Sequence, residues 1–172
     1  MTALLRERRV LFAVVGAAAM ASYGVSRSTR DVDILVVDRA CLDREAWASL
    51  ERAGIRVDIH RAGVDDPLDG AVRAAAGRGE SPVDIVVGRE RWQREILNRA
   101  RAGTVDGVSV PVATAADLVL LKLYAGGSQD AWDVEQLLQS GDRTTLIAQV
   151  DAVMPSLPPD SQALWARIVR PR

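Results

Sequence analysis

The run Thr29-Arg30-Asp31-Val32-Asp33-Ile34-Leu35-Val36-Val37 constrains the fold more than any other stretch of this chain. Its apolar residues call for a covered strand, while its two carboxylates call for an opening or a cation. Residues two apart on a strand point the same way, so Asp31 and Asp33 project side by side from one face. Upstream, Val10-Leu11-Phe12-Ala13-Val14-Val15 predicts a buried strand that stops at Gly16, and residues 17–23 predict the helix that follows. A glycine at a strand-to-helix turn lets backbone N–H groups approach an anion. Phosphate on one side of the carboxylate pair and a divalent metal on the other is a layout for handling a nucleotide.

Length and composition narrow the alternatives. At 172 residues the chain is expected to form a single domain over 1–172, with a core at 10–112 and a C-terminal helical part at 113–172. A net charge of -1 argues against nucleic-acid binding through a broad basic surface, although Arg6, Arg8, Arg9, Arg27 and Arg30 could converge on a local basic face. The single Cys41 excludes an internal disulfide and suggests a reducing cytoplasm, and with His60 the only histidine a His/Cys zinc site is implausible. Arg6, Arg8 and Arg9 ahead of an apolar stretch imitate an export signal, but cleavage there would remove the strand and glycine that the carboxylate layout needs. No stretch reaches the roughly 18 apolar residues of a membrane span.

Periodicity predicts the remaining elements. A short helix is expected over 2–9 and another over 42–53, where Leu42, Ala46, Leu50 and Ala53 have helical spacing and Gly54 is a stop. Residues 55–60 alternate strictly, with Ile55, Val57 and Ile59 inward. Turns surround a short strand near 71–76, and Val83-Asp84-Ile85-Val86-Val87 suits a central strand covered on both faces. Helices are expected at 89–101, 114–125, 128–139 and 144–153, a strand at 108–112, and a last helical stretch to Arg170.

A third carboxylate would complete a two-metal transfer site, and Asp58 and Asp84 compete for the role. Asp58 lies on a polar strand face, where a solvated carboxylate needs no explanation. Asp84 lies in an apolar strand and needs a metal or a partner such as an arginine. Lys122 is the only lysine among the 22 basic residues. It is either a compact ammonium aimed at phosphate or a side chain snorkelling from an amphipathic helix. Asp130 and Asp133 near a helix start suit the helix dipole. Arg27, Ser28, Thr29 and Arg30 form a polar turn beside the carboxylates, where an arginine could clamp phosphate. His60 suits the surface, and Trp92 and Trp132 suit a core or interface.

Together, Val15-Gly16-Ala17, Tyr23-Gly24-Val25, Arg27-Ser28-Thr29-Arg30-Asp31-Val32-Asp33 and Leu121-Lys122-Leu123-Tyr124-Ala125-Gly126-Gly127 resemble the nucleotidyltransferase superfamily with the DNA polymerase beta-like fold. The closer resemblance is to its small bacterial members, the minimal nucleotidyltransferases and AbiEii-type proteins of toxin–antitoxin and phage-defence systems. It implies an α/β (α+β) architecture, a mixed sheet flanked by helices with further helices at the C-terminus. It also implies a nucleoside triphosphate held by magnesium, with two ions. By family motif, Asp31 and Asp33 would hold the metals and Asp84 would help bind metal or activate the acceptor hydroxyl. Gly16, Ala17, Thr29, Arg30, Lys122 and Asp130 would contact the nucleotide. Ala17 stands where the family usually has glycine or serine, which keeps the backbone N–H but removes a hydroxyl. The expected activity is transfer of a nucleoside monophosphate to a hydroxyl of a protein or RNA, with a cognate toxin or antitoxin as a possible partner. A non-catalytic binding partner and an antibiotic-modifying transferase are the alternatives.

Overall fold

Side-chain alternation decides where this sheet is sealed and where it opens. The computed structural model describes residues 1–26, 31–63, 66–77 and 80–170. The chain begins with helix α1 (Thr2–Glu7), strand β1 (Phe12–Val15), helix α2 (Gly16–Ala21) and strand β2 (Val32–Val36). Two 3-10 turns and the short helix α3 (Ala48–Arg52) lead into β3 (Arg56–Arg61), β4 (Leu68–Ala75) and β5 (Val83–Gly88). Helix α4 (Arg91–Arg99) precedes the hairpin of β6 (Arg101–Val105) and β7 (Val108–Val112). Four helices complete the chain: α5 (Ala115–Ala125), α6 (Ser128–Gln139), α7 (Arg143–Asp151) and α8 (Pro159–Val169).

The strands form one mixed seven-stranded sheet in the order β3-β4-β5-β2-β1-β7-β6. β1 and β2 are antiparallel, while β2–β5 and β1–β7 are parallel. Ile34, Val36, Ile85, Val87 and Val72, on one face, are all fully buried. The opposite face of β2 carries Asp33 and Leu35; Leu35 is buried and Asp33 is half-buried, so that face is closed at one end and open at the other. Register then builds a row across the open end: Asp58 faces Arg73, Arg73 faces Asp84, Asp84 faces Asp33, and Asp33 faces Val15.

Most expected elements are present within a few residues, and the exceptions have physical causes. The helix expected over 42–53 becomes 3-10 turns at Arg39–Leu42 and Arg44–Trp47, with α-helix only at Ala48–Arg52. Asp38 caps the first turn by accepting from the Ala40 amide at 3.0 Å, and Trp47 Nε1 donates to the Cys41 carbonyl at 2.7 Å, fixing a tighter path than an α-helix takes. Strand β6 went unforeseen, although Asp106-Gly107 is a two-residue hairpin signal. Strand β5 is central, as expected, but is not covered on both faces: Asp84 and Val86 are half-buried. Asp31 lies one residue before β2 rather than within it. His60 is exposed, Trp92 is buried and Trp132 is exposed. Among the described residues, no helix is long and apolar enough to cross a membrane.

The β3–β4–β5 edge depends on a bulge at Gly70, which has φ of 156°. A Cβ there would collide with the His60 carbonyl and approach Leu42 Cδ2 to 2.8 Å. Gly70→Ala should therefore cost about 2–4 kcal/mol from backbone strain and overpacking, measured by urea denaturation. A loss under about 0.5 kcal/mol would show that the bulge adapts.

Candidate active site

The open end of the sheet gathers charge because three strands deliver polar side chains to one face at one level. Asp33 and Asp84 are register partners on parallel neighbours, and Arg73 on β4 is the partner of Asp84 on its other side. Arg73 donates to Asp84 Oδ2 at 2.6 Å and reaches Asp31 Oδ2 at 3.4 Å. One guanidinium thus spans the carboxylates of β5 and of the residue leading into β2. Burial pushes the Asp84 carboxyl up from its ordinary value, with the charge of Asp31 adding to the rise and that of Arg73 opposing it.

Gly16 ends β1 at φ +64°, and a Cβ built there would run into the Asp33 carboxylate, with Asp33 Cγ at 2.9 Å. No other residue type lets the chain turn here and leaves the carboxylate in place. Ala17 and Asp31 line a cavity of about 390 Å³ that continues to Ser22, Ser81 and the hairpin residues Thr104 and Asp106. Thr29 and Arg30, together with Arg27 and Ser28, lie outside the described residues.

Lys122 and Asp130 form a second cluster, between α5 and α6. Lys122 Nζ lies 2.8 Å from Asp130 Oδ1 and 2.7 Å from Asp133 Oδ2, and Asp133 is completely buried. Asp130 also accepts from the Gly127 amide at 3.1 Å, so it caps α6 while holding the ammonium. The lysine is therefore not snorkelling to solvent. Burial draws its pKa down, but the hydrogen bonds and charges of Asp130 and Asp133 outweigh that and leave it above 10.5. Helix α5 begins beside Val14, where the Ala113 amide donates to the Val14 carbonyl at 3.0 Å. At its other end Tyr124 donates to the Pro67 carbonyl at 2.9 Å, beside the first residue of β4.

Asp58 is placed outside this grouping: it is exposed and pairs with Arg56 at 3.0 Å. Asp84 has the arginine partner that sequence reasoning gave as the alternative to a metal role, and its register places it level with Asp33. Arg73 itself was missed by sequence reasoning. The available signal was its polar position between Val72 and Ala74 in an alternating strand, but the long β4–β5 connection left its register to Asp84 open.

The donor chemistry at the open end is carboxylate oxygen, which suits a hard divalent cation such as magnesium. Among the described residues, however, no three His, Cys, Asp or Glu side chains stand ready to hold a metal. The Arg73 guanidinium is the cation drawn to Asp31 and Asp84. The acids therefore fit the metal in kind, and their present arrangement fits an arginine.

Neither a family model nor a curated protein matches the chain. Among solved structures, it is similar to the antibiotic-resistance factor ANT(2'')-Ia in complex with adenylyl-2''-tobramycin. Identity is 16%, 90% of this chain and 92% of that one are covered, and the TM-score is 0.56. It is also similar to the lincomycin-bound lincosamide antibiotic adenylyltransferase LnuA, at 11% identity over 81% of this chain and 93% of that one, with a TM-score of 0.50. These likenesses show that the chain has the nucleotidyltransferase fold.

The Lys122 cluster gives a stability test with a definite sign. Its raised pKa means that the stabilisation is complete below pH 10.5 and is lost as pH rises through the higher folded-state value. Lys122→Met, which removes the ammonium beside the buried Asp133, should cost about 3–5 kcal/mol at neutral pH. Denaturant titrations from pH 7 to 11.5 should show the gap between variant and wild type closing above about pH 10.5. A gap constant across that range would contradict the assignment.

Proposed function

We propose that this chain is a metal-dependent nucleotidyltransferase that moves a nucleoside monophosphate from a triphosphate to a hydroxyl of a protein or RNA. The observation that carries this reading is the convergence of Asp31, Asp33 and Asp84 on the open end of one sheet face, with Gly16 cleared for the Asp33 carboxylate. A divalent cation, when bound there, neutralises charge on the phosphoryl oxygens during in-line displacement. Asp31 and Asp33 supply its protein oxygens and so orient the triphosphate. Asp84, whose carboxyl is shifted upward, is positioned to take the proton of the acceptor hydroxyl. The acceptor oxygen bonds to the α-phosphorus as the bridge to the β-phosphate breaks, and pyrophosphate leaves.

In this reading Gly16, Ala17, Thr29 and Arg30 approach the triphosphate from the β1–α2 turn and the segment before Asp31. Lys122, which the resemblance ties to phosphate, and Asp130, which it places among the nucleotide-binding residues, are assigned here to holding α5 against α6, because both are engaged with each other and Lys122 with Asp133. The finer proposal is a cytoplasmic toxin–antitoxin or phage-defence protein of the AbiEii type, with a cognate toxin or antitoxin as partner. Its support is the Leu121-Lys122-Leu123-Tyr124 motif following the carboxylates in the expected order.

A second reading has its own observation. The cavity of about 390 Å³ beside Asp31 is of small-molecule size and carries two carboxylates, Asp31 and Asp106. That lining suits a cationic acceptor rich in hydroxyls, and two of the similar structures are by name an antibiotic-resistance factor and a lincosamide antibiotic adenylyltransferase.

The test is transfer of α-labelled nucleotide from each triphosphate, with magnesium, into RNA, protein, an aminoglycoside and a lincosamide. Label in one acceptor class, reduced more than about a hundredfold by Asp31→Ala or Asp33→Ala, supports the reading and selects the acceptor. Label that persists undiminished in both variants overturns the site. No label from any triphosphate, with no magnesium-dependent triphosphate binding, favours a non-catalytic partner protein.

A further inference from the structure

Arg73 is the one charge in the row across the open end that its strand neighbours do not explain as ordinary surface polarity. Its register partner on β3, Asp58, is engaged by Arg56 at 3.0 Å. The guanidinium turns the other way and takes Asp84 at 2.6 Å and Asp31 at 3.4 Å. Asp84 belongs to β5 and Asp31 leads into β2, so a cation that enters beside Asp31 meets this guanidinium. Arg73 stands against both carboxylates in this structure.

We infer that Arg73 is a latch, holding Asp31 and Asp84 in the nucleotide-free protein and releasing Asp31 to a divalent cation and Asp84 to the acceptor hydroxyl only when a triphosphate arrives. The inference rests on the nucleotidyltransferase reading above. Three physical arguments support it. First, a dication that binds Asp31 must displace a hydrogen-bonded partner, the Arg73 guanidinium, to enter. Second, magnesium binds through a few carboxylates plus phosphate oxygens, so a triphosphate strengthens its hold. Third, the same phosphates offer the displaced guanidinium a planar two-point acceptor. The Arg73 side chain is 45% exposed, so its head can leave without breaking core packing. The arrangement would keep bare metal out and make loading depend on the substrate.

The experiment is calorimetric titration of Mn²⁺ into wild type and Arg73→Gln, with and without α,β-methylene analogues of the four nucleoside triphosphates. Thermal unfolding is followed in parallel. Glutamine removes the charge while keeping a polar side chain. The latch predicts that, without nucleotide, Arg73→Gln binds Mn²⁺ at least tenfold more tightly than wild type. It also predicts that Mn²⁺ raises the unfolding temperature of the variant more than that of wild type. Adding Asp31→Asn to Arg73→Gln should remove the gain. Should Arg73→Gln fold poorly without metal, Arg73→Lys is the second probe, and a tightening of about threefold is expected because an ammonium cannot bridge both acids. Equal nucleotide-free Mn²⁺ affinity in wild type and variants, with wild type still binding Mn²⁺ alongside a triphosphate analogue, overturns the latch and leaves the transferase reading standing. Absence of Mn²⁺ and analogue binding in every protein overturns both.

Discussion

The approach of the Asp33 carboxylate to Gly16 is the contact on which the site's geometry depends. No Cβ fits between them, and the chain passes Gly16 at a positive φ, so glycine serves here as both a steric opening and a hinge. That contact fixes how β1 ends against β2. Parallel pairing of β5 with β2 then sets Asp84 level with Asp33, and antiparallel pairing of β4 with β5 sets Arg73 level with Asp84. Shifting any of these registers by one residue would turn a charged side chain into the core and an apolar one out to solvent. The buried row of Ile34, Val36, Ile85 and Val87 opposes such a shift, so the packing of one face holds the chemistry of the other in place.

Charge is handled differently at the two clusters. At the open end Asp31 and Asp84 are partly exposed and share the exposed Arg73 guanidinium, an arrangement that leaves room for exchange with a ligand. Between α5 and α6 the ammonium of Lys122 is largely enclosed with a fully buried Asp133, and such a pair is hard to open because separating it costs a charge-assisted contact between buried groups. The Arg99–Asp117 pair is intermediate, with Asp117 buried at the start of α5 and Arg99 41% exposed. The Lys122 cluster fastens α5 to α6.

The sequence carried much of this, for reasons that differ by element. Asp31, Asp33 and Gly16 were legible because strand periodicity and a glycine at a strand end are local signals. Asp84 was legible because an acid in an apolar strand needs a partner, though which partner depended on the fold. Arg73 was not legible: its significance lies in a register across a long connection, which no local pattern sets. The 3-10 path over 39–47 was hidden for a related reason, since the Trp47–Cys41 hydrogen bond that shapes it is a tertiary outcome of packing an indole into the core. Lys122 stood out by residue type, but its two carboxylates became visible only once α5 and α6 were placed side by side.

The proposed transfer depends on a divalent cation and a triphosphate meeting at the open end of the sheet. Anomalous diffraction from crystals grown with Mn²⁺ and an α,β-methylene nucleoside triphosphate locates both. A manganese peak beside Asp31, Asp33 and the phosphates is expected, with the Asp33 carboxylate still lying over Gly16. Manganese and nucleotide located away from these carboxylates, with Arg73 still joined to Asp84, would contradict the proposal.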